Sequence, residues 1–556
     1  MAKPKKSSLN RRGFLKGAAT GLGATAMAGF SLQEANAQIP ARWDREADVV
    51  IAGAGASGLC AAISARDQGV SVIAIDENTD VGGHSMLSGG NVPLGGGTSL
   101  QKKYGIADSA DQVYLDHTDH KNQEFRFSDR DLVRMWADEN VATFEFLIEN
   151  GVKFLDIAPG TLRRAPNPIP QGSVPRLFST QVYSNQLRET INGTGGSGFA
   201  RSLERSARAK GVEILLQHKL TAIIRETPSS GRVLGITATV DNRKVNIRAR
   251  KGIIIATGGH TSNVEFRRIF DPRLTEEYQV AGEPYSRQNA DGELLAMGIG
   301  ASLWATANQN TGAGSPITKT RHIGCRWGYA NLKWNPESPI FDKAGASGLT
   351  VLNFQDVILV NLFGQRFWNE LDAGFDFLHA CMGTNGNLGK DGKANGGGPI
   401  WAIFDADGVA RERWDPKPPN VDLNGWFFSA DTLAELAGKI KNPYQYRPMP
   451  AAALTETVAR YNSFVAAGKD TDFNKPAPMY KIEKPPFYAA WSTPILHDSL
   501  TGLKINRKCE VIDIKGQVIA GLYCAGECAG GFGLHGLPRV SVFGRVAGRE
   551  AALAKI

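Results

Sequence analysis

The chain has few cysteines, no long apolar run and no strong surplus of one charge, and each shortage removes a class of protein. Its six cysteines, Cys60, Cys325, Cys381, Cys509, Cys524 and Cys528, are scattered through 556 residues. They form no CxxCH for haem attachment and no paired CxxC for zinc. Cys524 and Cys528 are close in sequence, but beside a glycine-rich turn they are expected to be small buried thiols rather than a disulfide. The formal charge is +8, yet beyond the first sixteen positions basic and acidic residues alternate, so nucleic acid is not an expected partner. After the N-terminus no segment is long and apolar enough to form a stable membrane span. No Ser-His-Asp set or metal-ligand cluster argues for hydrolysis. A hydrophobic content of 42% and this length suit one large or two interlocked domains with a sizeable core.

What is present starts with a targeting segment. Lys3, Lys5 and Lys6 precede Arg11-Arg12-Gly13-Phe14-Leu15-Lys16, a weakly apolar Ala/Gly stretch, and the A-x-A site Ala35-Asn36-Ala37. This pattern predicts a twin-arginine (Tat) signal over residues 1–37, cleaved before Gln38, and a periplasmic protein. Tat substrates usually fold before export, often around a cofactor.

The next motif supplies a cofactor site. Asp48-Val49-Val50-Ile51-Ala52 reads as a buried strand, Gly53-Ala54-Gly55-Ala56-Ser57-Gly58 follows, and Leu59 to Gln68 is helical in composition. A second strand, Val70 to Ile75, ends in Asp76-Glu77. In such a unit Gly53 permits the tight turn, Gly55 lets backbone approach a pyrophosphate, and Gly58 lets the helix pack with its N-terminus toward the phosphates. Asp76 would accept hydrogen bonds from ribose hydroxyls. Further glycine turns, Gly82-Gly83-His84-Ser85 with Gly89-Gly90, then Ala256-Thr257-Gly258-Gly259, then Ala525-Gly526-Glu527, suit one extended cofactor crossing several strand ends. A flat isoalloxazine needs such close backbone, so FAD is preferred to NAD. Ala56, Ser57, Gly83, His84, Ser85, Gly89, Gly90, Leu220, Ala256, Gly258, Asp291, Asp498 and Glu527 are assigned to the cofactor together with the fingerprint glycines and Asp76.

Taken together these segments resemble the FAD-binding subunit family of fumarate reductases and succinate dehydrogenases, including soluble periplasmic fumarate reductases and 3-ketosteroid dehydrogenases. The resemblance runs from about Asp48 to the C-terminus. Its densest part is Leu454-Thr455-Glu456-Thr457-Val458-Ala459-Arg460-Tyr461-Asn462-Ser463-Phe464, where Leu454, Val458, Tyr461 and Val465 recur at helical spacing and predict a core face. The family implies an α/β fold: a Rossmann-like FAD-binding domain, residues 38–308 and 493–556, with an inserted α+β substrate-capping domain, residues 309–492. Trp327, Trp334, Trp368, Trp401, Trp414 and Trp426 fall in that insert.

Residue by residue, the resemblance is uneven. Gly364-Gln365-Arg366-Phe367 and Asn369-Glu370 are similar to the segment leading into the family's cap. The Glu and Arg of the fumarate reductases' proton pathway align with Thr350 and Asn353, and their acid arginine aligns with Gly374. Thr493 to Gly502 is similar to a turn that places His497 on the substrate, and Gly530 to Arg539 to a segment ending in a carboxylate-binding arginine. His84 stands where succinate dehydrogenases attach FAD covalently, but the shorter spacing to Gly89-Gly90 implies a non-covalent contact. The implied activity is an exported FAD-dependent oxidoreductase moving a hydride between flavin N5 and a carbon beside a carbonyl or similar group. A ring-bearing substrate under an aromatic cap is expected, with His497, Arg539, Asp372, Asp376 and His379 as catalytic candidates. The alternatives are an enoate reductase of fumarate reductase type and a flavin-bearing electron-transfer subunit without substrate chemistry. Without haem or iron-sulfur motifs, electrons would pass to or from an external carrier such as a periplasmic cytochrome or a quinone, or to oxygen.

Overall fold

Val49, Val50, Ile51 and Ala52 are all fully buried, so the strand Arg45–Ala52 has apolar neighbours on both faces, as a central parallel strand requires. In the computed structural model, which describes residues 38–119, 128–161, 174–305, 317–327, 336–339, 348–372, 375–381 and 398–555, this strand lies between Val72–Ile75 and Arg243–Ile255, parallel to both. Val50 faces Ile73 on one side and Ile253 on the other. Val518–Cys524 adds in parallel beyond Arg243–Ile255, with Tyr523 opposite Ile254, and Glu213–Leu215 closes the far side. Strands that arrive from such distant parts of the sequence bring their C-terminal ends, Ala52, Ile75, Ile255 and Cys524, to one edge, where a doubly wound sheet binds its ligand.

The helix Ala56–Arg66 follows the first strand, and the C-terminal helix Leu537–Leu553 packs along it. Glycines set that approach. A Cβ on Gly544 would meet Ser57 O at 2.4 Å, and one on Gly548 would meet Ala61 O at 2.1 Å. Cys524 and Cys528 are buried free thiols with their sulfurs 3.5 Å apart.

A second sheet, antiparallel, is built from Ile358–Val360, Trp401–Phe404, Phe487–Trp491 and Phe427–Ala430 in that spatial order. Its strands alternate between two cores. Leu359, Ala402, Phe404 and Ala490 face one, whereas Ile358, Val360, Trp401, Ile403 and Trp491 face the other. The helix Ala451–Ala467 covers the second core with Leu454, Val458, Tyr461 and Phe464; Val465 is only partly buried beside them. Leu274, Tyr278 and Val280, upstream of residue 309, pack into the first core. The tryptophans of this region serve packing: Trp401 is fully buried, and Trp327, Trp368 and Trp414 lean on the first core. No described tryptophan lines the cavity below, and Trp334 lies outside the described residues. Residues 1–37 lie outside the described residues; among those described, no helix is long and apolar enough to cross a membrane.

Candidate functional site

A cavity of about 650 Å³ opens along the C-terminal edge of the parallel sheet. The glycine turn forms its floor. Gly53 donates its N–H to Ile75 O at 2.8 Å and has φ +108°, and a Cβ there would meet Ala256 O at 2.1 Å. Gly58 sits against Gly53 O, which its Cβ would meet at 1.8 Å, so the helix starts as close to the strand as backbone allows. Gly55 differs: a Cβ would have only Gly82 O nearby, at 3.9 Å, and any larger side chain would stand in the cavity. The helix that begins after Gly55 has no side-chain cap and no acid in its first turn. Its unsatisfied N–H groups and positive dipole end are therefore left for an anion.

Beside this floor Asp76 holds the turn. Its carboxylate accepts from Ala54 N at 2.7 Å and from Asn78 N at 2.9 Å. Burial pushes its carboxyl up despite these bonds, and the unused lone pairs are available to a hydroxyl donor. Lys219, on the same stretch of wall, lies 3.3 Å from Glu77 and 3.2 Å from Asp291. Further along, Ser57 Oγ, Thr257 Oγ1 and His84 Nδ1 are buried on the cavity wall with no hydrogen-bond partner among the described residues. His84 Nε2 is 3.1 Å from Ser286 O, and burial lowers the ring's affinity for a proton. Orphaned polar atoms beside an uncapped helix start are what a large, partly anionic, ring-containing group would satisfy. FAD fits these residues.

The other end of the wall carries His497, Asp498, Glu527 and His535. Asp498 Oδ2 lies 2.7 Å from His535 Nδ1, and the His497 and His535 rings are 5.6 Å apart. Burial raises the Asp498 carboxyl, but His535, His497 and Arg539 together outweigh it and keep Asp498 below the ordinary carboxylate range. Glu527 accepts from Gln288 Nε2 at 2.8 Å; burial, and then the charge of Asp498, push its carboxyl well up.

Most of the residues expected on the cofactor, Gly53, Gly55, Ala56, Ser57, Asp76, Gly83, His84, Ser85, Gly89, Leu220, Ala256, Gly258, Asp291, Asp498 and Glu527, lie on this one wall. Gly58 and Gly90 do not. Gly58 packs the helix, and Gly90, at φ +81°, packs against the Gly195 turn, whose N its Cβ would meet at 2.7 Å. Of the catalytic candidates, the structure brings His497 to the cavity and leaves Arg539 behind it. Arg539 is 1% exposed and gives its guanidinium to the carbonyls of Ser499, at 2.9 Å, and Ala529. Asp372 is off the wall as well: its carboxylate accepts from Trp368 Nε1 at 3.2 Å, and its carbonyl from Lys319 Nζ at 3.2 Å. The side chains of Asp376 and His379, and Gly374 altogether, lie outside the described residues. His535 was missed in the sequence, as were Thr257 and Gln288. His535 stands only four residues before Arg539, and the family likeness directed the reading to the arginine.

A parallel sheet whose first turn leads into an uncapped helix, with orphaned donors along a single cavity, defines a dinucleotide-binding flavoprotein. The profile of the FAD binding domain family matches residues 48–540, and the chain belongs to that family; it is an FAD-dependent oxidoreductase. Its relatives include a fumarate reductase (cytochrome) of Shewanella frigidimarina, 29% identical, with 91% of this chain and 77% of the relative covered. A urocanate reductase of Eggerthella lenta is 27% identical over 94% of this chain and 77% of its own length. Among solved structures, the 3-ketosteroid delta1-dehydrogenase of Sterolibacterium denitrificans shares the fold with a TM-score of 0.65 at 21% identity, covering 91% of this chain and 99% of that one.

Proposed function

We infer that the chain transfers a hydride between FAD and a carbon beside a carbonyl or similar activating group, acting on a CH–CH bond or its unsaturated counterpart. The observation that carries this reading is the continuity of one cavity from the Gly55 turn to His497 and His535, so that a bound cofactor and a proton-handling group share a wall. The relatives, both named as reductases, support the bond type. FAD supplies a two-electron hydride donor or acceptor when bound. The chain's own residues do the rest. Gly55 and the helix start bind the anionic middle of the cofactor, Asp76 takes hydroxyls, and His84 and Thr257 offer polar atoms to its ring region. His497 contacts the substrate, and the walls exclude water.

The substrate is proposed to be ring-bearing and weakly charged. Lys219 and Arg287 are the lysine and arginine on the described wall, and both are paired, Arg287 with Glu283 at 3.0 Å. Such a wall offers little grip to two carboxylates. The Arg11-Arg12 signal supports export to the periplasm and a mature N-terminus at Gln38, and an external cytochrome or quinone is proposed as the electron partner. The test is anaerobic. Dithionite-reduced holoenzyme is mixed in turn with fumarate, acrylate, 2-methyl-2-cyclohexenone and a 3-keto-4-ene steroid, and flavin reoxidation is followed by absorbance. Reoxidation by a cyclic enone supports the reading, and indifference to every compound would leave an electron-transfer subunit in its place.

A further inference from the structure

Asp498 and His535 meet at the substrate end of the cavity in a geometry that the hydride-transfer reading does not by itself require. His535 belongs to the turn before the helix Leu537–Leu553. Phe532 and Leu534, each 1% exposed, anchor that turn in the core, and Gly533 N donates to Ser128 Oγ at 2.8 Å. Gly536, at φ +78°, then turns the chain into the helix. The anchored turn leaves the His535 ring on the cavity wall with 22% of its side chain exposed, whereas Asp498 is 4% exposed on that side chain. The His535 Nδ1 to Asp498 Oδ2 contact of 2.7 Å has the length of a charge-assisted hydrogen bond, although the ring N–H is not aligned on the carboxylate oxygen. Nitrogens and oxygens bound to one tetrahedral zinc, each about 2.0–2.1 Å from the ion, would stand roughly 3.3 Å apart. The pair is therefore read as a donor and its acceptor, although His497, Asp498 and His535 hold their ligand-type atoms within 4.8 Å of one another.

We propose that His535 is the proton-transferring residue of the reaction, with Asp498 as the residue that positions it. This rests on the hydride-transfer reading. The carboxylate 2.7 Å from Nδ1 favours the proton on that nitrogen and assigns the role of base to Nε2, across the ring. In the dehydrogenating direction the C–H bond next to the carbonyl breaks and its proton passes to Nε2. The electron pair of that bond forms the new C=C bond, and the hydride on the neighbouring carbon leaves with its two electrons for oxidised FAD. In the reducing direction Nε2–H protonates the carbon after hydride addition. The other charged or titratable groups around the pair are His497 on the same wall, Glu527 and Arg539 behind Asp498, and His84 across the cavity. Burial, and then the charge of Asp498, push the Glu527 carboxyl well up, which disfavours a second negative charge beside Asp498. Arg539, held by two carbonyls, offsets the charge of Asp498 without reaching the cavity.

The test uses reduced holoenzyme and 2-methyl-2-cyclohexenone, whose reduction sets a stereocentre at the carbon that receives the proton. Wild type is expected to give one enantiomer of 2-methylcyclohexanone. His535→Gln is expected to slow the step by about 10²- to 10⁴-fold and to give a product close to racemic, because solvent then protonates either face. Asp498→Asn, the second variant should H535Q lose FAD, is expected to slow the step and displace the histidine limb of the pH profile. An H535Q enzyme that holds FAD and keeps both rate and enantiomeric purity overturns the proposal. So does zinc that copurifies with wild type at one per chain and is lost in H535Q. If wild type reduces none of the compounds above, the hydride-transfer reading is what fails. Histidine ¹⁵N NMR of the oxidised holoenzyme then decides the pair alone: an Nδ1–H tautomer at His535 that is lost in D498N upholds the positioning, and an Nε2–H tautomer overturns it.

Discussion

Arg366 grips Glu370 through two parallel bonds, Nε to Oε1 at 2.7 Å and Nη2 to Oε2 at 2.8 Å, with both side chains buried. Lys475 stands 3.3 Å from the same carboxylate, and Asp470 takes a further bond from Arg366 at 3.0 Å. Two cations and two anions thus close on one another inside the fold. The pair that the sequence presents as part of a cap leading to substrate is a fixed structural element beneath the Ile358–Val360 strand.

Glu370→Gln is expected to destabilise the protein by about 3–5 kcal/mol, because it leaves Arg366 and Lys475 buried with one fewer counter-charge. Burial raises the Glu370 carboxyl, but Arg366 and Lys475 outweigh that and hold it at about 2, against roughly 4.3 unfolded. A depressed carboxyl contributes stability that is complete above the unfolded value and is lost as pH falls from about 4.3 toward 2. Urea melts of wild type between pH 7 and pH 3 should therefore move toward those of the variant as pH falls below about 4.3, without reaching them by pH 3. Parallel curves across that range would show that the pair contributes no differential protonation.

Gly55→Val is expected to abolish FAD loading with the fold retained, since the valine methyls would occupy the space against the helix start where the pyrophosphate binds. The reading is the ratio of flavin to protein absorbance, with circular dichroism as the control. Stoichiometric FAD in this variant would refute the cofactor position. Acid precipitation of wild type should leave the yellow colour in solution. Colour in the pellet would mean a covalent bond at His84, whose Nδ1 is without a partner among the described residues.

The cofactor end of the site was legible because its requirements are local. A tight turn, a close helix start and an acid after the second strand follow one another in about thirty residues, and each leaves a glycine or carboxylate in the sequence. Even the errors there are small. Helical composition begins at Leu59, yet the helix starts at Ala56, because Ala56 to Gly58 belong to the motif and to the first helical turn at once. The substrate end has no such grammar. Asp498 and His535 come from separate turns and meet only when Val518–Cys524 enters the sheet between them. Arg539 lies between Pro538 and Val540, which line the cavity, yet at the start of a helix that packs on another helix its own side chain is buried. The aromatic residues around the antiparallel sheet carry no local sign of whether they face a ligand or a core.

His497→Ala is expected to leave FAD bound and to lower kcat/KM for an accepted enone by roughly 10- to 100-fold, the loss of one hydrogen bond to a polarised group. A fall shared equally by kcat and kcat/KM would place the contact in the transition state, whereas a rise in KM alone would mean that His497 holds substrate and transition state alike. Joint loss of flavin and of the cooperative melt would assign the residue to structure instead.

Fumarate is the sharpest discriminator. Reducing it requires an acid near the carbon and cations that hold two carboxylates while negative charge develops. Here the positions that resemble the proton pathway are Thr350, whose carbonyl accepts from Trp414 at 2.8 Å, and Asn353, whose N–H donates to Glu412 at 2.7 Å. Neither threonine nor asparagine can relay a proton as a carboxylate and guanidinium do. By the family resemblance Gly374 aligns with the acid arginine. Arg539 has its guanidinium on backbone carbonyls, and Lys219 and Arg287 are paired with carboxylates. A dicarboxylate entering this cavity would have to compete with Glu77, Asp291 and Glu283 for those cations, and it would approach the negative Asp498. Fumarate should therefore reoxidise the dithionite-reduced holoenzyme at least about 10²-fold more slowly than a cyclic enone, the scale of losing one group that stabilises the developing charge. Comparable rates in stopped-flow absorbance would show that another cation reaches the substrate and that the weakly charged, ring-bearing substrate is the wrong inference from this wall.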